Sequence, residues 1–362
     1  MRRATSISRR TALQWMAGGA LASMTAPAAS QNMQPLISRK IPRTGEMMPV
    51  IGLGTYIVLD VAPGAPELGE LKDVLKTFVA GGGKMIDSSP MYGRAEAVTG
   101  ELLAATGLRD SVFLATKVWT SGRASGIAQM QDSLKLMRTR RMDLMQVHNL
   151  VDLPTHLKTL TEWKAAGTIR YLGITHYHSG AYAQLEKLLQ TRAYDFVQFN
   201  YSMAEREAEQ RLLGVAADSG TAVIINRPFA QGELFPKVKG RDLPAWAAEF
   251  DCDSWAQFFL KYIVAHPAVT CVIPGTGKVR HMQDNLNAGR GRLPDAQRVP
   301  LVLYHFENRS YEDIAAQHPD HAKWLRVFPV AGLMHCRGGI GDRKSTRLNS
   351  SHVALSRMPS SA

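Results

Sequence analysis

The chain predicts an α/β fold, a (β/α)8 TIM barrel, and two observations carry that expectation. Short apolar runs alternate with amphipathic helical stretches eight times over roughly 240 residues, a rhythm that suits a closed barrel better than an open doubly wound sheet. Three of the runs end on an ionisable residue at nearly equal intervals: Asp87 closes KMID, Lys117 closes VFLATK and His148 closes DLMQVH, 30 and then 31 residues apart.

In chain order the expected strands are 50–54, 83–87, 111–117, 142–148, 168–175, 195–199, 221–225 and 269–274, each a short apolar run bounded by turn residues. The expected helices lie between them, near 66–80, 95–106, 125–138, 154–166, 178–190, 204–218, 252–265 and 278–289. Active residues in such a barrel sit where strands end. The strand-end placement of Asp87, Lys117 and His148, with Tyr92 just beyond the second strand, therefore marks them as one site.

The residue types indicate proton transfer. Tyrosine is a weak acid, with a reference pKa of about 10, and a neighbouring ammonium favours its phenolate. Lys117 supplies such a charge, Asp87 beside it holds the lysine cationic in a desolvated barrel mouth, and His148 orients a substrate oxygen or relays a proton. The set suits a carbonyl whose oxygen gains a proton while its carbon gains a hydride. A lone Asp–Lys pair on neighbouring strands is usually structural; Tyr92 and His148 in the same order reverse that reading.

These four residues resemble the Asp, Tyr, Lys and His tetrad of the aldo-keto reductase superfamily. GLGTY (Gly52 to Tyr56), IDSSPMYGRAE (Ile86 to Glu96), ATKVW (Ala115 to Trp119) and LMQVHNL (Leu144 to Leu150) resemble that family in order and spacing, and the resemblance covers roughly residues 38–290. It implies catalytic roles for Asp87, Tyr92, Lys117 and His148, and an extended NADPH, with NADH the other possibility, lying across the barrel mouth without a Rossmann domain. In agreement, GLG at 52–54 is followed by Ile57 where the dinucleotide fingerprint needs glycine, and GGG at 81–83 precedes a strand.

The same resemblance implies cofactor contacts from Thr55, Tyr56 and Asp87. Thr175, His176 and Gln198 map to the nicotinamide carboxamide contacts, with His176 standing where asparagine is usual. Asn226 stands where the family stacks an aromatic on the nicotinamide, and Arg227, before Pro228, offers a guanidinium for the pyrophosphate. Gly275, Thr276, Lys278, Arg280, His281 and Asn285 map to the segment that holds the adenosine 2′-phosphate and adenine, with His281 where arginine is usual; a turn feeding a helix N-terminus suits a phosphate. The substrate, a small aldehyde or ketone, is expected against Tyr56, Tyr92, Trp119 and His148. The other function class is a nucleotide-binding sensor or regulatory subunit of the same fold with little turnover.

His176 and His178 in THYH lie in a loop without a cysteine cluster or HExxH, so no metal is assigned. Trp246 and Trp255 read as packing residues. The three cysteines, Cys252, Cys271 and Cys336, do not build a disulfide framework.

The ends differ from the barrel. Ser8 to Met16, with Arg9 and Arg10, a weakly apolar stretch and Ala26-Pro27-Ala28, resembles a twin-arginine export signal over residues 1–29. That resemblance implies the twin-arginine translocation machinery as a partner, a periplasmic location and no stable membrane anchor. The barrel domain is expected over 30–297. Residues 298–341 resemble the C-terminal end of the tannase and feruloyl esterase family around His335 and Cys336, but no serine elbow accompanies them. Residues 342–362 are polar, serine-rich and basic, and are expected to be disordered. They also look like translated adapter sequence, so residues 298–362 are expected to be foreign to the barrel, a fused reading frame.

The net charge of +12 is concentrated at these ends. Residues 1–30 carry +4 and residues 298–362 another +4, leaving 12 − 8 = +4 for the centre, which argues against nucleic-acid binding.

Overall fold

All-parallel strands are covered by helices on the outside and must be filled by their own side chains within, so they need apolar residues on both faces. The strands here meet that demand. The structure, a computed structural model, describes residues 34–294. After a hairpin of β1 (Ser38–Lys40) and β2 (Met47–Pro49), eight parallel strands follow: β3 (Leu53–Gly54), β4 (Met85–Asp87), β5 (Phe113–Val118), β6 (Met142–His148), β7 (Ile169–Thr175), β8 (Phe196–Asn200), β9 (Ala222–Asn226) and β10 (Val269–Val272). Each pairs with the next, and the bridge Ile51↔Val272 joins the first to the last. The eight-stranded barrel is as expected.

Helices return the chain between strands: α1 (Glu67–Ala80), α2 (Ala95–Thr106), α3 (Arg123–Leu136), α4 (Leu153–Ala165), α5 (Tyr182–Gln190), α6 (Leu212–Asp218), α7 (Leu234–Lys237), α8 (Trp255–Ala265) and α9 (Val279–Ala288). Alternate residues of the strands point inward, and at the N-terminal end they form an apolar floor of Met85, Phe113, Ala115, Leu144, Tyr171, Phe196, Ala222, Ile224 and Cys271. The β1–β2 hairpin, which the sequence did not announce, seals this end by adding Ile41 and Met48, both essentially unexposed, to that cluster. Its turn needs Gly45, whose φ of 74° is left-handed.

The first barrel strand is shorter than the expected 50–54, because the seam with β10 is very close. A Cβ on Gly54 would lie 2.7 Å from the Ile273 carbonyl oxygen, so the glycines of GLG are a steric condition for closure. Three helices begin later than expected. α8 starts at Trp255 because Ser254 caps it, its Oγ accepting from Gln257 N at 3.0 Å, and α5 follows a short 3₁₀ turn, Ser179–Ala181. α6 starts at Leu212 because the preceding stretch is pulled into a buried network in which Glu209 accepts from Tyr201 Oη at 2.7 Å and from Tyr262 Oη.

Between β9 and α8 lie α7 and two further 3₁₀ turns, none of them expected. Ring contacts tie this excursion down: Phe229–Phe235 and Phe235–Phe259 on one side, Trp246–Phe250 and Trp246–Phe258 on the other. Trp255 packs on Phe258 and Phe259, so both tryptophans are packing residues as expected. Cys252 and Cys271 are buried free thiols. The twin-arginine, tannase-like and tail assignments fall outside the described residues, as does Cys336. Among the described residues no helix is long and apolar enough to cross a membrane.

Candidate active site

Above the apolar floor, the next inward positions are polar. Asp87 on β4, Lys117 on β5, Gln146 on β6 and Gln198 on β8 meet at the barrel centre, none more than 1% exposed. Lys117 Nζ donates to Asp87 Oδ2 at 2.6 Å and to the Ser88 carbonyl at 2.6 Å. Asp87 Oδ1 accepts from Gln146 Nε2 at 3.1 Å and from Gln198 Nε2 at 3.0 Å. The carboxylate thus has three side-chain donors, which is what makes a buried charge tolerable.

Tyr92 follows β4 in a turn, and Lys117 Nζ lies 5.0 Å from its ring centroid. Burial would lower the Lys117 ammonium, but the charge of Asp87 and the contact with Tyr92 outweigh it and leave its pKa raised, so the lysine stays cationic. Burial raises the Tyr92 hydroxyl, and Lys117 offsets only part of this. The ammonium therefore acts in the direction the sequence implied, yet without ligand Tyr92 remains a weaker acid than free tyrosine.

His148 stands across from Tyr92, their rings in edge contact at 6.0 Å, and its Nδ1 is 3.0 Å from Ser89 Oγ. Burial, the charge of Lys117 and that of His176 lower its pKa from 6.5 to about 3. The imidazole is consequently neutral at working pH. Ser89 Oγ accepts from Met91 N at 3.4 Å, which frees its own proton for His148 Nδ1 and leaves Nε2–H as the outward donor.

Two aromatic rings stand beside this pair. Tyr56 lies 5.0 Å from Tyr92 and Trp119 lies 6.4 Å from His148, ring to ring, and both are about half exposed. Trp119 is held by its backbone: its N–H donates to Gln129 Oε1 at 2.6 Å and its carbonyl accepts from Gln129 Nε2 at 3.2 Å. His156 Nε2 takes up the next carbonyl, Thr120, at 2.7 Å. The loop after His148 is tight, with Asn149, Leu150 and Asp152 all left-handed, and Asp152 Oδ2 accepts from Gly122 N at 2.7 Å, joining the two loops that flank the pocket.

The remaining candidates lie on the same rim. Thr55 is buried, donating to the Asp87 carbonyl and to Ser88 Oγ, both at 3.0 Å. Thr175 Oγ1 donates to Gln198 Oε1 at 3.0 Å, so Gln198, expected at a carboxamide, here spends its amide on Thr175 and Asp87. His176 Nδ1 accepts from Tyr177 N at 3.0 Å and His178 Nδ1 from Gly180 N at 3.1 Å, so Nδ1 of each ring is taken up as an acceptor. Asn226 Nδ2 donates to the His176 carbonyl at 3.2 Å while its Oδ1 is buried without a partner among the described residues. Arg227, left-handed at φ 49°, lays its guanidinium 4.5 Å over the Tyr177 ring.

Buried Pro228 follows it. At the β10 end, Gly275, Arg280 and His281 are exposed, Thr276 Oγ1 accepts from Lys278 N at 3.1 Å, Lys278 Nζ pairs with Glu70 at 2.7 Å, and Asn285 is buried.

The sequence reading overlooked Ser89, Gln129, Gln146 and Tyr177. A signal existed for Gln146, a polar residue two positions before His148 and so on the same strand face. Gln129 had none, because it faces Trp119 only through the turn into α3.

The sequence profile of the aldo/keto reductase family matches residues 50–298. The chain belongs to that family. It is an NAD(P)-dependent oxidoreductase of (β/α)8 form. It is 28% identical to methylglyoxal reductase YeaE of Escherichia coli over 70% of this chain and 90% of that protein. With aldo-keto reductase YhdN of Bacillus subtilis it is 27% identical over 55% of this chain, spanning only 63% of that protein. The barrel is shared with an aldo/keto reductase from Klebsiella pneumoniae solved with NADP and acetate (TM-score 0.61, 23% identity, 72% of this chain and 93% of that one).

Proposed function

We propose that the protein reduces a small aldehyde or ketone to the alcohol with NADPH. The observation that carries this reading is the Lys117–Asp87 pair, unexposed and fully hydrogen-bonded, set under Tyr92 and opposite a neutral His148. Bound NADPH supplies the hydride to the carbonyl carbon. Tyr92 Oη gives its proton to the carbonyl oxygen as that oxygen gains negative charge, and the cationic Lys117 stabilises the phenolate left behind. His148 Nε2–H donates to the same oxygen and aims it at Tyr92, while Tyr56 and Trp119 keep water from the reacting face.

The residues present fit such a cofactor. Asn226 Oδ1 and Asn200 Nδ2, at neighbouring strand ends and without partners among the described residues, offer an acceptor and a donor suited to a carboxamide. The start of α9, with Lys278, Arg280 and His281, suits a phosphate. Solved relatives in complex with NADP or NADPH support the choice of cofactor.

The test is NADPH oxidation by the full chain with a panel of small carbonyls, methylglyoxal among them because YeaE is named for it, beside Tyr92→Phe. Turnover that falls about a hundredfold or more on loss of the hydroxyl supports the reading. Bound NADPH without turnover of any carbonyl would favour the sensor class.

We further infer export by the twin-arginine route and a periplasmic enzyme, from Arg9 and Arg10 before the weakly apolar stretch. Replacing both by lysine is expected to leave the protein in the cytoplasmic fraction; unchanged fractionation removes the inference. The foreign origin of residues 298–362 stands on their composition, and an uninterrupted genomic reading across codons 290–345 would overturn it.

A further inference from the structure

We propose that Gln146 is a positioning residue for the reduction: it holds the Asp87 carboxylate aimed at Lys117, and so sets how readily Tyr92 releases its proton. The inference rests on the reductase reading. Asp87 Oδ2 is committed to Lys117 at 2.6 Å, and two amide groups share Oδ1, Gln198 at 3.0 Å and Gln146 at 3.1 Å.

The two amides differ in what else they do. Gln198 Oε1 accepts from Thr175, so this residue is tied to the rim. Gln146 Oε1 has no partner among the described residues, although the side chain is completely unexposed. A buried acceptor left without a donor costs free energy, and an apolar residue of similar size would avoid that cost. The amide is retained against its own desolvation, and its one hydrogen bond is to Asp87.

The strand opposite makes room for it. Gln146 pairs in register with Gly173 on β7, and a Cβ there would come within 3.2 Å of Gln146 Cγ, tighter than ordinary packing. The ionisable groups whose charges interact with this carboxylate are Lys117 on β5, Tyr92 in the β4 turn and Cys271 on β10. Lys117 alone supplies positive charge, for His148 is neutral and burial pushes the Cys271 thiol well up.

The physical consequence has a definite sign. Asp87 raises the Tyr92 pKa and Lys117 lowers it. Two amide dipoles pointed at Asp87 damp its negative potential without touching Lys117. Removing one leaves more of that potential at Tyr92, so the phenolate is less favoured and the proton is given less readily.

The experiment uses the full chain with Gln146→Leu and Gln146→Glu. In Gln146→Leu, kcat for carbonyl reduction is expected to fall about tenfold and the alkaline limb of kcat/KM to move up by about one pH unit, with the Kd for NADPH unchanged. In Gln146→Glu, the new carboxyl donates to Asp87 only while protonated, since like charges at this distance resist joint ionisation. That variant is expected to keep near wild-type kcat at acid pH and to lose it through a new limb below that of Tyr92.

Should Gln146→Leu fail to fold, the new limb in Gln146→Glu decides. Wild-type limbs in both variants, whatever happens to kcat, would overturn the proposal. Should the wild-type chain reduce no carbonyl, the reductase reading fails separately. The position of Tyr92 is then read from the tyrosinate absorbance that Tyr92→Phe removes: a higher onset in Gln146→Leu upholds the role and an unmoved onset ends it.

Discussion

The two ends of the barrel are made by the same eight strands and differ in what those strands turn inward. At the floor, Phe113, Leu144, Tyr171 and Phe196 fill the interior and Ile41 and Met48 close it, and the charged groups lie outside that apolar cluster, as in the pair Arg170–Glu46, about a third exposed on each side. Two residues further along each strand, the same inward positions become Lys117, Gln146 and Gln198, and the charge there has no exposure at all. A half-exposed pair is worth little to stability, whereas a buried pair is costly unless every donor is met. The difference teaches that the floor serves the fold and that the polar layer, maintained at a cost, serves the chemistry.

The strongest way to break that comparison is Lys117→Met. It leaves the buried Asp87 carboxylate without its counter-ion, so stability should fall by about 3–5 kcal/mol in urea unfolding, and kcat should drop by about 10²- to 10⁴-fold because Tyr92 loses the charge that supports its phenolate. Retained activity would mean that the buried pair is structural after all.

The matching change at the floor is Phe196→Ala. It empties an unexposed site packed against Tyr171 at 5.3 Å and Phe113 at 6.0 Å, at a cost of about 3–5 kcal/mol. The folded fraction should keep its kcat; a fall in kcat beyond the loss of folded protein would show that floor and mouth are coupled.

The pH dependence of stability sharpens the contrast. His148 takes a proton at about 6.5 when unfolded and at about 3 when folded. Between those values the unfolded state binds more protons, so the native state loses stability as pH falls from about 6.5 towards about 3. His148→Gln should flatten that part of the profile, measured by thermal midpoint. An unchanged acid slope would place the loss elsewhere.

The smallest expected effect is at the rim. Gln129→Ala removes both hydrogen bonds to the Trp119 backbone, at a cost of about 1 kcal/mol. KM for the carbonyl should rise severalfold with kcat nearly unchanged. The reverse split would place Trp119 in the chemical step rather than in substrate binding.

Much of this arrangement was legible beforehand because a barrel strand writes its chemistry at its end. Asp87, Lys117 and His148 closed apolar runs at a constant interval, and the eight units could be counted from their alternation. The β1–β2 plug was illegible because its few apolar residues show no period and acquire meaning only against the floor. The family resemblance placed Gln198 at the cofactor carboxamide, but nothing local placed it on Asp87, a contact that spans 111 residues. The contact of the Arg227 guanidinium with the Tyr177 ring was equally illegible, since the two residues lie on loops far apart in the chain.

By itself the sequence determined the number and order of the barrel strands, since these follow from local apolar periodicity and from glycines at closure points. It also determined which residue types stand at the strand ends, and with them the class of reaction. Only the tertiary structure decided the electrostatic state of the site. The neutrality of His148, the net weakening of Tyr92 as an acid by burial and the three donors on Asp87 all depend on desolvation and on distances between strands remote in the chain. A charge responds to everything packed within a few ångströms of it, whatever its separation in sequence.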